Sequence, residues 1–138
     1  MIVRQGGPAD AVALAELRDI DDPGPFTAWM ATHADTHLPF VAETNGEVVG
    51  AAWLLIAERI PGPESPQRWY GDVQSVMVRE PYRNQGIGAA LMNAILAESA
   101  RRGLQHVTVH SGRRAVDFYA RNGFTHHRQL LLWEPETS

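Results

Sequence analysis

The stretch Pro81 to Leu91 reads PYRNQGIGAAL and holds the residues whose types and spacing most suggest chemistry. Gly86 and Gly88 open a helical pattern that runs to Arg102. Each glycine costs a helix interior about 0.8–1.0 kcal/mol relative to alanine. The first N–H groups of a helix have no partner within it, and the aligned peptides add roughly half a positive charge there. Phosphate is the common occupant of such a site, and glycine keeps side chains out of its way. The competing reading is that Gly86 and Gly88 let the helix pack closely on a sheet.

Two common phosphate loops fail against these residues. A P-loop requires lysine and a hydroxyl after its last glycine, whereas Ala89 and Ala90 follow here. A dinucleotide fingerprint requires a third small residue where Leu91 stands. Its acidic ribose partner, expected about 20 residues on, is missing from Gln105 to His110.

The elements that must position this loop can be read from periodicity. Ile2 to Arg4 reads as a short strand, and Pro8 starts a helix with Ala11, Leu14 and Ala15 on one side. Asp21 to Pro25 breaks that helix, and a second runs from Phe26 to Ala34. Asn45-Gly46 predicts a tight hairpin between Phe40–Ala42 and Val48–Ile56. The second arm is almost wholly apolar, as for a strand covered on both faces. Arg59 to Arg68, with three prolines, is a loop, and Tyr70 to Val78 is a strand. In the helix that follows, Ile87, Leu91 and Ile95 form one buried stripe, and Gly103 ends it. Val107 and Val109 mark a strand, Ala115 to Asn122 a helix, and Leu130 to Trp133 a last strand. This order predicts an α/β (α+β) fold with a mixed, mostly antiparallel sheet and helices on both faces.

At 138 residues, 44% hydrophobic and 20% charged, the chain suits a single globular domain over residues 1–138. It has no cysteine, which excludes disulfides and thiolate chemistry and suits a cytoplasmic setting. The opening MIVRQGGPAD has no signal-peptide pattern, and no apolar run approaches a membrane span. A net charge of −4 argues against nucleic acid as a partner. His33, His37, His106, His126 and His127 form no metal-ligand pattern, so no metal is expected; His126 and His127 would point to opposite faces of a strand.

Taken together, Arg83-Asn84-Gln85-Gly86-Ile87-Gly88 resembles the Q/R-x-x-G-x-G/A signature of the GCN5-related N-acetyltransferase (GNAT) family. The preceding VMVREPYR resembles that family's lead-in, and AVDFYARNGF, Ala115 to Phe124, resembles its later helix and turn. The resemblance spans nearly the whole chain. It implies acetyl-CoA as acetyl donor, with its pyrophosphate on backbone N–H groups from Asn84 to Ala89. Arg83, Asn84, Gln85, Gly86, Ile87, Gly88 and Ala89 are therefore expected to bind the cofactor. Val76, Met77 and Val78 would pair with its pantetheine arm, and a backbone N–H near Met77 or Val78 would polarise the acetyl carbonyl.

The resemblance also implies an acid and a base. Tyr119 stands where the family often carries the acid that protonates the departing thiolate. Asp72 stands where one branch carries a glutamate base; Glu43, Glu58, His110 and an ordered water path are alternatives. Where the family often has an asparagine the chain has Gly112, so either Ser111 makes that cofactor contact through its hydroxyl or the contact is absent. Trp53 and Trp69 are candidates for an amine pocket. The implied function is acetyl transfer to a primary amine, in a small molecule or a peptide, with no membrane partner. The alternative is a non-catalytic acetyl-CoA-binding regulatory module. The family's frequent dimers make a homodimer the expected assembly.

Overall fold

A computed structural model describes residues 1–136 of the chain. Its strands are β1 (Ile2–Gln5), β2 (His37–Thr44), β3 (Glu47–Arg59), β4 (Arg68–Val78) and β5 (Val107–Val109). They form one sheet in chain order, antiparallel from β1 to β4, with β5 parallel to β4. Helices α1 (Ala11–Leu17) and α2 (Pro23–Thr32) cover one face, and α3 (Ile87–Arg102) and α4 (Val116–Arg121) the other.

The long apolar β3 behaves as its composition predicts. Val49, Ala52, Leu54 and Ile56 join Leu91, Met92 and Ile95 of α3 in the larger core. The alternate residues Val48, Ala51 and Trp53 meet Leu14, Leu17 and Met30 beneath α1 and α2. Leu91 and Ile95 are fully buried, and replacing such a residue by alanine costs about 2–5 kcal/mol. The β2–β3 turn holds Asn45 at φ 53° and Gly46 at φ 77°, the left-handed pair that Asn-Gly favours.

Buried Asp10 ties the first elements together. Its carboxylate accepts two bonds from Arg4, at 2.8 and 2.9 Å, and one from the Gly7 N–H at 2.8 Å. Arg4 also donates to Glu43 on β2 at 2.6 Å. The Arg4 guanidinium thereby holds the Asp10 carboxyl below its usual range, against the opposing effect of burial.

Two expectations need correction. α2 starts at Pro23 rather than Phe26, because Asp22 caps it through the Gly24 N–H and Pro23 fits the first helical position. Leu130 to Trp133 is not a strand, and His126 and His127 do not lie on one. β5 presents only three residues as a ladder edge, and the four apolar residues remain largely exposed.

Candidate functional site

A bulge in β4 and its short pairing with β5 create the site. Val76 pairs with Ala52 of β3 and Gln74 with Trp53, so Ser75 is left over. Ser75 takes a left-handed φ of 67°, which bends the strand. On its other side, β4 pairs with β5 only from Gly71 to Val73. The edge from Gln74 to Val78 therefore offers backbone N–H and C=O groups to an extended ligand.

Beyond β4 the chain makes a short turn at Glu80–Tyr82 and enters the loop. Asn84 at φ 62° and Gly86 at φ 80° reverse it into α3. The first intrahelical bond of α3 runs from the Ala90 N–H to the Gly86 carbonyl, at 3.0 Å, and no side chain caps this end. The N–H groups of Ile87, Gly88 and Ala89 are thus the orphan donors of the helix start. Arg83 donates to the Val78 carbonyl at 3.1 Å and Gln85 to the Pro81 carbonyl at 3.3 Å, so the loop is held by its own side chains.

The two glycines answer to different demands. A Cβ on Gly86 would meet nothing within 4 Å, yet the residue's φ is left-handed: here glycine serves backbone shape and open access. A Cβ on Gly88 would lie 3.1 Å from two ring carbons of Phe118. Gly88 therefore lets α3 approach α4, a helix–helix contact rather than the helix–sheet packing that the sequence suggests.

A cleft of about 480 Å³ lies between the free edge of β4, the start of α3 and α4. Val76, Val78, Arg83, Asn84, Gly86, Ile87, Gly88, Ala89 and Tyr119 all line it. Tyr82, Phe118, Arg121 and Asn122 also line it and escaped the sequence reading. Phe118 packs against both Gly88 and the Tyr119 ring. Tyr119 is half-buried, packed edge-on between the rings of Phe118 and Phe124. Burial pushes its phenol above the usual tyrosine range, which already leaves Oη protonated at neutral pH.

Other candidates lie outside this cleft. Met77 is exposed and alternates away from Val76 and Val78, leaving only its backbone toward the slot. Gln85 is bound within the loop, and the Ser111 hydroxyl donates to the Gly112 carbonyl at 3.1 Å. Glu43 is engaged by Arg4. Trp53 and Trp69 do not share a pocket. Trp53 pairs with Gln74 and Trp69 with Glu58, which puts them on opposite faces of the sheet.

Asp72 sits on the face of β4 turned away from α3. Its Oδ1 accepts the Thr108 hydroxyl at 2.6 Å and its Oδ2 the Gln74 amide at 3.5 Å. On the same face of the sheet, Phe26 of α2 stacks on Trp29 and Trp29 on His33, the residue that ends the helix. His33 Nδ1 lies 2.8 Å from the Trp29 carbonyl, which can only accept, so Nδ1 carries hydrogen. Burial, and then the charge of neighbouring His33, push the His37 imidazole below its usual range. Among the described residues no group of three His, Asp or Glu side chains is placed to hold a metal ion. No described helix is long and apolar enough to cross a membrane.

Comparison with known proteins gives this geometry a context. The family model described as acetyltransferase (GNAT) family matches residues 10–124. The chain is 29% identical over 126 residues to a glucosamine 6-phosphate N-acetyltransferase of Trypanosoma brucei brucei, covering 91% of this chain and 78% of that protein. It is 35% identical over 91 residues to a mycothiol acetyltransferase of Amycolatopsis mediterranei, covering 64% of this chain but only 30% of that protein. A crystal structure of a predicted acetyltransferase with acetyl-CoA from Clostridium acetobutylicum shares the fold, with a TM-score of 0.78 at 15% identity over 96% of this chain and 95% of that one.

Proposed function

Since this chain belongs to the GNAT acetyltransferase family, we propose that it is a single-domain N-acetyltransferase that moves an acetyl group directly from acetyl-CoA to a primary amine. The observation that carries this reading is the cleft beside the bulged β4, which joins an uncapped helix start, a free strand edge and Tyr119. These residues fit acetyl-CoA. The Ile87, Gly88 and Ala89 N–H groups suit a diphosphate, and Arg83 and Arg121 add positive charge at the rim. The edge of β4 from Gln74 to Val78 suits the amides of a pantetheine arm.

When bound, acetyl-CoA supplies an acetyl group already activated as a thioester. The chain's own part is to orient the reactants, stabilise developing charge and move two protons. A backbone N–H of β4 beside the bulge would hold the acetyl carbonyl oxygen, where negative charge grows as the amine attacks. Tyr119 Oη donates a proton to the leaving sulfur as the C–S bond breaks. A tyrosine carries that proton at neutral pH, and burial of this phenol does not remove it. Asp72 takes the proton the amine sheds, through a bridging water, because it lies across the strand from the cleft.

A homodimer is the assembly we assign to this domain. The exposed run Leu130 to Trp133, with Leu131 89% and Trp133 81% accessible, is apolar surface that a second copy would cover. The absence of cysteine fits a cytoplasmic setting.

The test is CoA release over a panel of amines by wild type and Tyr119→Phe, with acetyl-CoA binding measured separately. Loss of the acid lowers kcat by about 10²–10⁴-fold while binding stays unchanged. Tight acetyl-CoA binding without turnover of any amine would instead make the chain a cofactor-binding module.

A further inference from the structure

The face of β4 opposite the cleft has its own architecture. His37, Leu55, Asp72 and Thr108 are successive cross-strand partners from β2 to β5, so their side chains stand in one row on one face. Pro39, Trp53 and Gln74 form the adjacent row. α1 and α2 cover β2 and β3 there, but no residue of β4 joins the core beneath them. Gln74 is exposed and Leu55 and Asp72 are only partly buried.

The wall beside this uncovered strip is aromatic. Trp29 lies flat against His33, with centroids 4.5 Å apart at 17°, and edge-on to His37 and Trp53 at 4.9 and 6.0 Å. A cluster that served only to seat α2 would be sealed, as Met30 beside it is, at 8% exposed. Trp29 instead remains 37% exposed. Strand spacing puts His37 and Asp72 about 10 Å apart, with Leu55 as an apolar floor between them. Asp72 is the charge on this floor. The cations of the same face, Arg59 and Arg68, pair with each other about 13 Å further along the strands. Arg68 is turned to the Ile60 carbonyl and Gln105.

We propose that this trough receives the acceptor, and that the acceptor class is a primary amine carried on a flat apolar ring, an arylalkylamine. The ring lies over Leu55 against Trp29, and the ammonium points to Asp72 and the β4 bulge. One carboxylate and an aromatic wall match one positive charge and one ring. A polyamine would leave its further cations unpaired here, and a phosphate-bearing amine would set its anion beside Asp72. The inference rests on the proposed acetyl transfer, and its test separates the two.

The experiment measures binding of 2-phenylethylamine by calorimetry with free CoA present, and its acetylation beside spermidine and glucosamine 6-phosphate. Wild type should bind 2-phenylethylamine and favour it in kcat/KM over both others. Trp29→Ala should raise its KM about tenfold with kcat and the acetyl-CoA Kd little changed. Trp29→Phe should restore most of the affinity, which a merely structural role would not predict. Preferred use of either other amine, no binding of 2-phenylethylamine, or an unaffected Trp29→Ala enzyme would overturn the assignment. Binding without turnover of any amine would retain the trough and reject the transferase.

Discussion

Gly88 and Phe118 meet where α3 and α4 converge on the cleft: a Cβ on the glycine would sit 3.1 Å from two atoms of the ring. The contact couples the helix whose start we assign to the diphosphate to the helix that carries Tyr119. Gly88→Val adds branched bulk at this contact and forces the two apart. The expected result is a loss of about 1–3 kcal/mol by chemical denaturation, together with weaker acetyl-CoA binding, because the same displacement opens the cleft.

Gly86 should respond differently. Its Cβ direction is empty, so Gly86→Glu creates no clash, but a left-handed φ costs an L-residue about 1–2 kcal/mol. The new carboxylate would also stand at the orphan N–H groups and repel a diphosphate. We expect a modest drop in melting temperature and the loss of measurable acetyl-CoA binding by calorimetry. Wild-type affinity in that variant would contradict the placement of the diphosphate.

Much of this architecture was legible because it is local. The Asn45-Gly46 turn, the two-faced apolar β3 and the Ile87-Leu91-Ile95 stripe each follow from residues adjacent in sequence or one helical turn apart. The run from Arg83 to Ala89 lines the cleft together because it is continuous in sequence, apart from Gln85, whose side chain turns back to Pro81. What escaped depends on register. Nothing in GDVQSVMV marks Ser75 as the extra residue, although that bulge decides which residues of β4 face the cleft. Asp72 was singled out by the family resemblance, yet its partner Thr108 lies 36 residues away and is set by the β4–β5 pairing. Leu130 to Trp133 has strand-like composition, but composition cannot supply a ladder partner.

Stability should fall on mild acidification because of His37. Its folded-state pKa lies below the ordinary histidine value, so the unfolded chain binds the proton more readily. The contribution is complete above about pH 6.5 and is lost as pH falls through the folded value. Glu98, held down to about 2 by Arg101 and then Arg102, and Asp10, held down by Arg4, act in the same direction only below the ordinary carboxylate range. Denaturation midpoints should therefore decline between pH 7 and 5 in wild type and decline less in His37→Asn. Equal slopes for the two proteins would remove His37 from this account.

Asp10 offers the sharpest separation of structure from chemistry, because it is buried, charged and remote from the cleft. Asp10→Asn keeps the shape but turns an amide donor toward Arg4, where two charge-assisted bonds were accepted, while Glu43 still engages the guanidinium. Arg4 is 38% exposed at its side chain, so solvent relieves part of the lost pairing. The net cost should be about 1–3 kcal/mol rather than that of a sealed ion pair. A double-mutant cycle with Glu43→Gln should show coupling, since both carboxylates share one guanidinium. Acetyl-CoA affinity and kcat should stay at wild-type values below the variant's melting range. A fall in kcat without a fall in stability would mean that this corner communicates with the site, and β2 would be the path to examine.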